Sequence, residues 1–297
     1  MTIGPGHWRI GPDRLLTLDR PRLLGILNVT PDSFSDGGQH DTPERAADHA
    51  AALVEQGADI IDIGAESTRP GAQRVDVDDQ IRRAVPAILA IRKRGIAAPI
   101  SIDTTSSAVA RAAIDAGATI INDVSAGTDD PAILALAAER CSGIILMHRL
   151  RPPDADAYSD RYTTPPDYSA QGGVVAAVHR FLAERALAAE SAGVSRDAIV
   201  LDPGLGFGKT VEQNLELARL MYEAVPHGHA PLSAASRKSF IGRVAGIERP
   251  DRRIAASVAV TVAHYFAGVR LFRVHDALDH AHALALAAAL GAPRSGF

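Results

Sequence analysis

The chain has 297 residues, of which 46% are hydrophobic and 22% are charged, a balance typical of a globular protein with a sizeable core. Its formal net charge of −4 argues against a nucleic-acid partner, which would require a basic face, but not against a small anionic substrate. The single cysteine, Cys141, excludes an intramolecular disulfide and favours a reducing cytoplasm, and we expect it to be buried and to serve packing.

The sequence also contains no stretch typical of a signal peptide or a membrane span. The N-terminus lacks a basic segment followed by an apolar run, and the longest apolar stretches, 254–271 and 281–290, are interrupted by His264 and His282. Both stretches fall short of the roughly 20 apolar residues that a span needs. We therefore expect a cytoplasmic protein without a membrane partner, and the Ala-rich composition of these stretches is typical of buried helices or a subunit interface.

The predicted elements begin with a hairpin over Trp8–Asp19, whose turn is marked by Gly11-Pro12-Asp13 and which could close the bottom of a barrel. Eight short apolar runs, mostly β-branched, come next along the chain. Such runs are typical of parallel strands that helices cover on both faces. They are Leu23–Val29, Asp59–Gly64, Pro99–Asp103, Thr119–Val124, Gly143–His148, Ile199–Pro203, Pro231–Ser236 and Leu271–His275.

Helical stretches with recognisable ends separate these strands. Thr42-Pro43-Glu44 predicts a helix start with proline in the first turn, Gly57 a helix end, and Asp130-Pro131 another start. Gly57–Asp62 recurs as Gly117–Asn122, and this spacing fits two βα units of roughly 30 residues each. A doubly wound sheet would alternate in the same way, so the count of eight decides the fold. The sequence predicts one domain over 1–297, an α/β (β/α)8 TIM barrel with an N-terminal β-hairpin.

Polar residues lie at or just after the carboxyl end of nearly every predicted strand, where barrel enzymes assemble their active sites. Any one of them could be a helix cap, but so many at one opening would be costly without a function. The acids and amides suit the N–H edge of a polar heterocycle, whereas the basic side chains suit a phosphate-like group. The residues are Asn28, Glu66, Asp103, Asn122, Asp123, His148, Asp202, Arg237, Lys238, Arg273 and His275.

Two loops that mix Gly and Pro with hydroxyls and charges follow the first two strands, at 28–38 and 66–72, and are typical of lids over a site. A third segment, 202–210, ends in Gly-Lys-Thr. It lacks the GxxxxGK spacing of a phosphate-binding loop, so the sequence does not predict a nucleotide site there.

Seven motifs in the right order make the chain resemble the dihydropteroate synthases of the pterin-binding enzyme family, the folate-pathway enzymes that sulfonamides inhibit. The resemblance extends from about residue 23 to residue 276. The motifs are GILNVTPDSFSDGG at 25–38, DIGAESTRPGA at 62–72, SIDT at 101–104, IND at 121–123, LDPGLGFGKT at 201–210, SRKSFIG at 236–242 and RVHD at 273–276.

The resemblance implies a transferase that condenses 6-hydroxymethyl-7,8-dihydropterin diphosphate with p-aminobenzoate, giving dihydropteroate and diphosphate. It implies Mg²⁺ as cofactor and a homodimer packed through late helices. Diphosphate would leave from a methylene on an electron-rich ring, so the carbon can bear positive charge as the bond breaks. The substitution would then be dissociative, with a neutral aryl amine as nucleophile and no strong base.

The resemblance also implies a role for each matching residue. Asp103, Asn122, Asp202 and Lys238, with Met147, would hold the pterin. Asn28 would bind magnesium, and Arg273 and His275 would join it in holding the diphosphate. The p-aminobenzoate pocket would be lined by Phe34, Thr68, Arg69, Pro70, Phe207 and Ser239, and the catalytic residues would be Asp103, Lys238, Asp36 and Arg69.

Three departures from the family pattern leave alternatives open. Ala65 and Ala234 stand where the family usually has glycine, and the loop after the fifth barrel strand continues as Arg149-Leu150-Arg151-Pro152-Pro153 instead of the usual Met-Arg-Gly pattern. One alternative is a paralogue that binds pterin or a partner protein without turnover. The other is a methyltetrahydrofolate-dependent methyltransferase, which shares the barrel and the acidic pterin site but needs no diphosphate grip.

Overall fold

In the computed structural model, which describes residues 6–30 and 42–291, eight parallel strands form a closed barrel surrounded by helices. This confirms the predicted architecture, and each predicted barrel strand lies within three residues of an observed one. The strands are His7–Arg9 (β1), Leu15–Thr17 (β2), Arg22–Asn28 (β3), Ile60–Gly64 (β4), Ile100–Asp103 (β5), Ile120–Asp123 (β6), Gly143–Met147 (β7), Ile199–Asp202 (β8), Ala230–Ser233 (β9) and Leu271–Val274 (β10).

The barrel is formed by β3 to β10 in chain order, and β10 pairs with β3 to close it. Helices connect consecutive barrel strands on the outside, as parallel pairing requires. They are Pro43–Glu55 (α1), Val77–Lys93 (α2), Ser107–Asp115 (α3), Ala132–Glu139 (α4), Val174–Ser191 (α5), Val211–Arg219 (α6), Met221–Ala224 (α7), Ser239–Ala245 (α8), Ile254–Phe266 (α9) and Ala277–Leu290 (α10).

The N-terminal hairpin closes the amino-terminal end of the barrel, as the sequence predicts. β1 pairs antiparallel with β2, and Trp8 and Ile10 are almost fully buried against apolar side chains from inside the barrel, among them Leu24 and Ile145. The Trp8 indole N–H donates to the Ala198 carbonyl oxygen at 2.8 Å, so the buried polar group of the plug is paired. Solvent therefore reaches the barrel interior from the opposite, carboxyl-terminal end.

The helix ends follow the signals in the sequence. Thr42 caps α1, with its hydroxyl accepting from the Arg45 backbone N–H at 3.4 Å, and Pro43 occupies the first helical position. Asp130 accepts from the Ala132 backbone N–H at 3.1 Å at the start of α4. The lone Cys141, for which a buried packing role was expected, is exposed after α4, so that expectation is wrong.

Strand alternation divides each strand into a face towards the helices and a face towards the barrel axis. In β4, Ile61 and Ile63 pack in the large core between strands and helices, whereas Ile60 belongs to the inner cluster. The same period of two places Asp62 on the inner face. Along the stretches that the structure describes, no helix is long and apolar enough to cross a membrane.

Candidate active site

The inner face of the barrel changes from apolar to polar within two residues along the strands. The bottom layer, against the hairpin, contains Leu24, Ile60, Ile120, Ile145, Val200 and Leu271. Two residues further along, the inward positions are polar apart from Met147. They are Asp62, Asn122, Met147, Asp202 and Arg273, and Asp103 lies beside Asn122 in the strand register.

Arg273 is the centre of this polar layer. Its Nε donates to Asp62 Oδ2 at 2.6 Å, and its Nη2 donates to Asp103 Oδ2 at 2.7 Å. Asn122 Nδ2 donates to the same Asp62 oxygen at 3.4 Å. Both carboxylates are buried, and 17% of the Arg273 side chain is exposed. One guanidinium thus joins two carboxylates that face the barrel axis, and Asn122 is linked to it through Asp62.

The acid–base properties of this cluster depend on burial. Burial, with a smaller contribution from the neighbouring carboxylate of Asp62, raises the pKa of Asp103 to about 7, although Arg273 opposes the rise. The Asp103 carboxyl is therefore poised to change charge near neutral pH, and a cationic group placed beside it would favour the carboxylate.

Asp202 and Lys238 lie near each other at the mouth of the barrel, and each affects the pKa of the other. Burial raises the pKa of Asp202, although Lys238 and the Gly204 backbone N–H, which donates to Asp202 Oδ1 at 2.7 Å, oppose the rise. Burial lowers the pKa of Lys238 to about 8, while Asp202 acts in the opposite direction. The Lys238 ammonium donates to the Leu205 carbonyl oxygen and lies 4.2 Å from the centre of the Phe207 ring.

His275 follows β10 and is a further polar residue at the carboxyl-terminal mouth of the barrel. Its Nδ1 and its backbone N–H lie 3.1 and 3.2 Å from the Ser236 hydroxyl oxygen. Burial and then the nearby charges of Arg273, Arg237 and Arg69 lower the pKa of His275 to about 3. At neutral pH the imidazole is therefore neutral and can act as a hydrogen-bond donor without adding a charge.

The structure brings most of the sequence-predicted residues to one opening. Thr68 and Asp103 line one cleft, Met147 packs with Phe207 and Val124, and the Ser239 hydroxyl accepts from the Ser159 backbone N–H at 3.3 Å. Arg69 and Pro70 lie on the more exposed rim, on the loop after β4. Phe34 and Asp36 lie outside the described residues.

Asn28 ends β3 at the same mouth and is half-buried. The absence of a side chain at Gly64 leaves room for it, because a Cβ there would lie 3.2 Å from Asn28 Oδ1. Within residues 6–30 and 42–291, no group of three or more His, Cys, Asp or Glu side chains could hold a metal ion. The donor chemistry fits an Mg²⁺ ion that takes one amide oxygen from the protein and its remaining ligands from water and substrate phosphates.

The structure brings to the site two residues that the reasoning from sequence did not select. Asp62 lies inside an apolar run, but the internal repeat aligns it with Asn122, which was a predicted site residue, and this signal could have identified it. Lys209 belongs to the Gly-Lys-Thr segment that was set aside. It is fully buried, and its Nζ lies 2.9 Å from His148 Nδ1 and donates to the Gly204 and Phe207 carbonyl oxygens at 2.9 and 2.8 Å.

Comparison with known proteins agrees with this geometry. The profile of the family described as pterin binding enzyme matches residues 24–275. The dihydropteroate synthase of Synechocystis sp. is 40% identical over 257 residues, which is 86% of each chain. That of Mycobacterium leprae is 41% identical over 271 residues, covering 88% of this chain and 90% of the relative.

Solved structures give the same result. Xanthomonas albilineans dihydropteroate synthase with 4-aminobenzoic acid superposes with a TM-score of 0.86 at 42% identity, covering 97% of this chain and 99% of that one. The structure of the same enzyme in complex with 7,8-dihydropteroate gives a TM-score of 0.82 at 40% identity, over 96% and 99% of the two chains.

Proposed function

This chain belongs to the pterin-binding enzyme family and is similar to its dihydropteroate synthases, and we propose that it condenses 6-hydroxymethyl-7,8-dihydropterin diphosphate with p-aminobenzoate. The products are 7,8-dihydropteroate and diphosphate, so the enzyme is a transferase of folate biosynthesis. The observation that carries the proposal is the ring of acids, amide and cations around Arg273 at the open end of the barrel.

The pterin occupies the barrel mouth with its ring edge towards the acids. Asp202 accepts two parallel hydrogen bonds from the amino group and a ring N–H, a geometry that suits a carboxylate. Asn122 supplies both a donor and an acceptor, and Lys238 donates to a ring acceptor. Met147 forms the apolar floor beside them. This assignment is supported by the burial of Asn122 and Asp202, which share the inward face of the strands, and by the position of Lys238 at the start of α8 beside Asp202.

The diphosphate lies above the pterin, between β3 and β10. Arg273 uses Nε and Nη2 on Asp62 and Asp103, and we assign its third nitrogen, Nη1, to the phosphate oxygens. His275 donates to them as a neutral imidazole. Asn28 would hold Mg²⁺ by its amide oxygen, and the ion would supply positive charge next to the diphosphate.

The charges determine the order of bond changes. As the bond from the methylene carbon to the diphosphate oxygen breaks, positive charge develops on the pterin and negative charge on the leaving oxygens. Arg273 stabilises the leaving group and the Asp103 carboxylate offsets the cationic pterin. The neutral amine of p-aminobenzoate then forms the carbon–nitrogen bond and releases its proton, so no strong base is needed. We also assign catalytic roles beside the reacting atoms to Lys238, Asp36 and Arg69.

The p-aminobenzoate pocket is formed where the two predicted lid loops, at 28–38 and 66–72, meet the β8–α6 loop, residues 203–210. Phe207 supports the aryl ring and Ser239 contacts the carboxylate. The two lid loops close over both substrates. The remaining pocket residues are Phe34, Thr68, Arg69 and Pro70.

The protein acts as a homodimer in the cytoplasm, each chain being one catalytic domain over 1–297. Exposed Leu278, Leu286 and Leu290 on α10 support pairing through this helix. The net charge of −4 supports the absence of a nucleic-acid partner.

The test is release of diphosphate from purified protein mixed with the pterin diphosphate, p-aminobenzoate and Mg²⁺. Asp103→Ala and Lys238→Ala should abolish turnover, whereas Lys93→Ala, on the exposed end of α2, is the matched control and should leave it unchanged. Tight pterin binding without turnover would support the inactive paralogue. Methyl transfer from methyltetrahydrofolate would support the methyltransferase.

A further inference from the structure

The β7–α5 loop, residues 148–173, is where the chain departs from the family pattern, and it packs directly on the β8–α6 loop. Gly208 is the point of closest approach: its φ is +63°, and a Cβ there would lie 2.3 Å from the Leu150 Cβ and 3.0 Å from the Leu150 backbone nitrogen. Only glycine allows this contact, because a side chain would collide with backbone that cannot move away. The two loops are therefore fitted to each other at this point.

Both backbone polar groups of Gly208 are held by side chains of the β7–α5 loop. Its N–H donates to Asp156 Oδ2 at 2.8 Å, and its carbonyl oxygen accepts from the Tyr168 hydroxyl at 2.7 Å. The other Asp156 oxygen accepts from the Tyr162 hydroxyl at 2.6 Å. Asp156 is thus fixed at both oxygens, and a charge-assisted hydrogen bond holds the Gly208 N–H in one orientation.

The residue on the other side of Phe207 is fixed by the same loop. The Gly206 backbone N–H donates to Asn214 Oδ1 at 2.5 Å, and Asn214 Nδ2 donates to the buried Ser159 hydroxyl at 3.0 Å. Phe207 therefore lies between two glycines whose positions depend on the β7–α5 loop. Its ring lies 4.2 Å from Lys238 Nζ and packs on Met147, at the site itself.

We propose that Asp156 is a positioning residue that controls the selection of the aminobenzoate substrate, by fixing Gly208 and through it the ring of Phe207. The inference rests on the proposed function, in which Phe207 supports the aryl ring of p-aminobenzoate. The pterin-holding side chains Asp103, Asn122 and Asp202 lie on strands and share no hydrogen bond with Asp156 among the described residues. Phe207 touches the pterin site only through Lys238 and Met147, so loss of Asp156 should affect the aminobenzoate much more than the pterin.

The experiment measures KM for each substrate and kcat in Asp156→Ala, Asp156→Asn and Tyr162→Phe. Asp156→Ala should raise KM for p-aminobenzoate about tenfold, the scale of one charge-assisted hydrogen bond, and leave kcat and KM for the pterin diphosphate within about twofold. Asp156→Asn keeps an acceptor for the Gly208 N–H and should restore KM. Tyr162→Phe removes one partner of Asp156 but leaves its hydrogen bond to Gly208, so KM for p-aminobenzoate should rise less than in Asp156→Ala.

A second readout does not depend on how much of the variant is folded. The ratio of kcat/KM for p-aminobenzoate to that for a 3-substituted 4-aminobenzoate cancels the concentration of active enzyme. It should fall in Asp156→Ala, because a mobile Phe207 discriminates less well against the bulkier ring, and it should return to the wild-type value in Asp156→Asn.

Three results would overturn the inference: an unchanged ratio in Asp156→Ala, an equal rise in KM for both substrates, or an Asp156→Asn variant as impaired as the alanine variant. Failure of the proposed function gives a different result, since wild-type protein would then release no diphosphate. If Phe207→Ala left KM for p-aminobenzoate unchanged in an active enzyme, the pocket assignment would fail whatever Asp156 does.

Discussion

The buried carboxylate of Asp62 offers the sharpest test of how the barrel holds its reactive groups. Asp62→Ala removes the 2.6 Å hydrogen bond from Arg273 Nε and leaves the guanidinium tied to Asp103 by Nη2 alone. A hydrogen bond between charged groups contributes about 1.5–3 kcal/mol, and about 1.4 kcal/mol corresponds to a factor of ten in rate. Since the Arg273 bond acts on the leaving diphosphate, we expect kcat/KM for the pterin diphosphate to fall roughly 10- to 150-fold.

The assay compares this variant with a change of the same kind at the other end of the barrel. Asp59 accepts from Arg22 Nη1 at 3.1 Å and from the Leu23 backbone N–H at 3.0 Å, close to the N-terminal hairpin. Asp59→Ala should lower the urea midpoint to a similar extent but leave kcat/KM unchanged. The kcat/KM of Asp62→Asn should lie between those of the wild type and Asp62→Ala, because the amide oxygen can accept from Arg273 but carries no charge.

The stability change should be moderate. Breaking a fully buried ion pair costs about 3–5 kcal/mol, but Arg273 keeps Asp103 and part of its side chain is exposed, so we expect about 1–3 kcal/mol. If Asp62→Ala retained kcat/KM within about twofold while the urea midpoint fell, Asp62 would be structural only and the role assigned to Arg273 would be wrong. Equal losses of activity in Asp59→Ala and Asp62→Ala would lead to the same conclusion.

Three further changes test other parts of the structure. His280 is buried, neither of its ring nitrogens has a hydrogen-bond partner among the described residues, and burial lowers its pKa to about 4. The unfolded chain protonates this histidine below about pH 6.5 and the folded chain does not, so stability is lost as the pH falls through this range. His280→Leu should therefore add about 2 kcal/mol to the free energy of thermal unfolding at pH 5 and much less at pH 7.5. An equal effect at both pH values would contradict the lowered pKa. Asn28→Ala should raise the Mg²⁺ concentration for half-maximal turnover about tenfold, with KM for p-aminobenzoate unchanged; an unaltered Mg²⁺ dependence would remove Asn28 as a metal ligand. Lys209→Met leaves the Gly204 and Phe207 carbonyl oxygens unpaired and should cost about 2–4 kcal/mol in urea unfolding, whereas no change in the midpoint would show that water replaces the ammonium.

The architecture could be predicted from the sequence because its signals are local. Eight apolar runs, the Thr42-Pro43 helix start and the turn at 11–13 each depend on a few neighbouring residues, and the structure confirms all of them. The rule that barrel sites gather at strand ends then selected Asp103, Asn122, Asp202 and Arg273 as candidates without any distance. Alternation along the observed strands explains why their side chains share one face.

The sequence could not give the contacts that join distant segments. Asp62 lies in a run of isoleucines, and the hydrophobic pattern alone gives no reason to assign it to the site. Only its hydrogen bond with Arg273, more than two hundred residues away in the chain, does so. The β7–α5 loop was noted only for its departure from the family motif. That Asp156 holds Gly208 depends on how two irregular loops meet, and neither hydrophobic period nor turn chemistry determines such a contact.

The shifted pKa values explain how so many charged groups can lie together inside the barrel. Burial is the largest influence on each: it raises the pKa of Asp103 and Asp202 and lowers those of Lys238 and Lys209, to about 8 and about 7. Every one of these shifts moves its group towards the neutral form, so the site without substrate can reduce its own charge near pH 7. A substrate that brings a diphosphate and a ring rich in N–H donors reverses this tendency, because the phosphates favour protonated lysines and the ring donors favour ionised acids. The cost of burying the charged groups is therefore offset mainly when the ligand is bound. The cluster consequently favours ligand binding and contributes little to the stability of the fold.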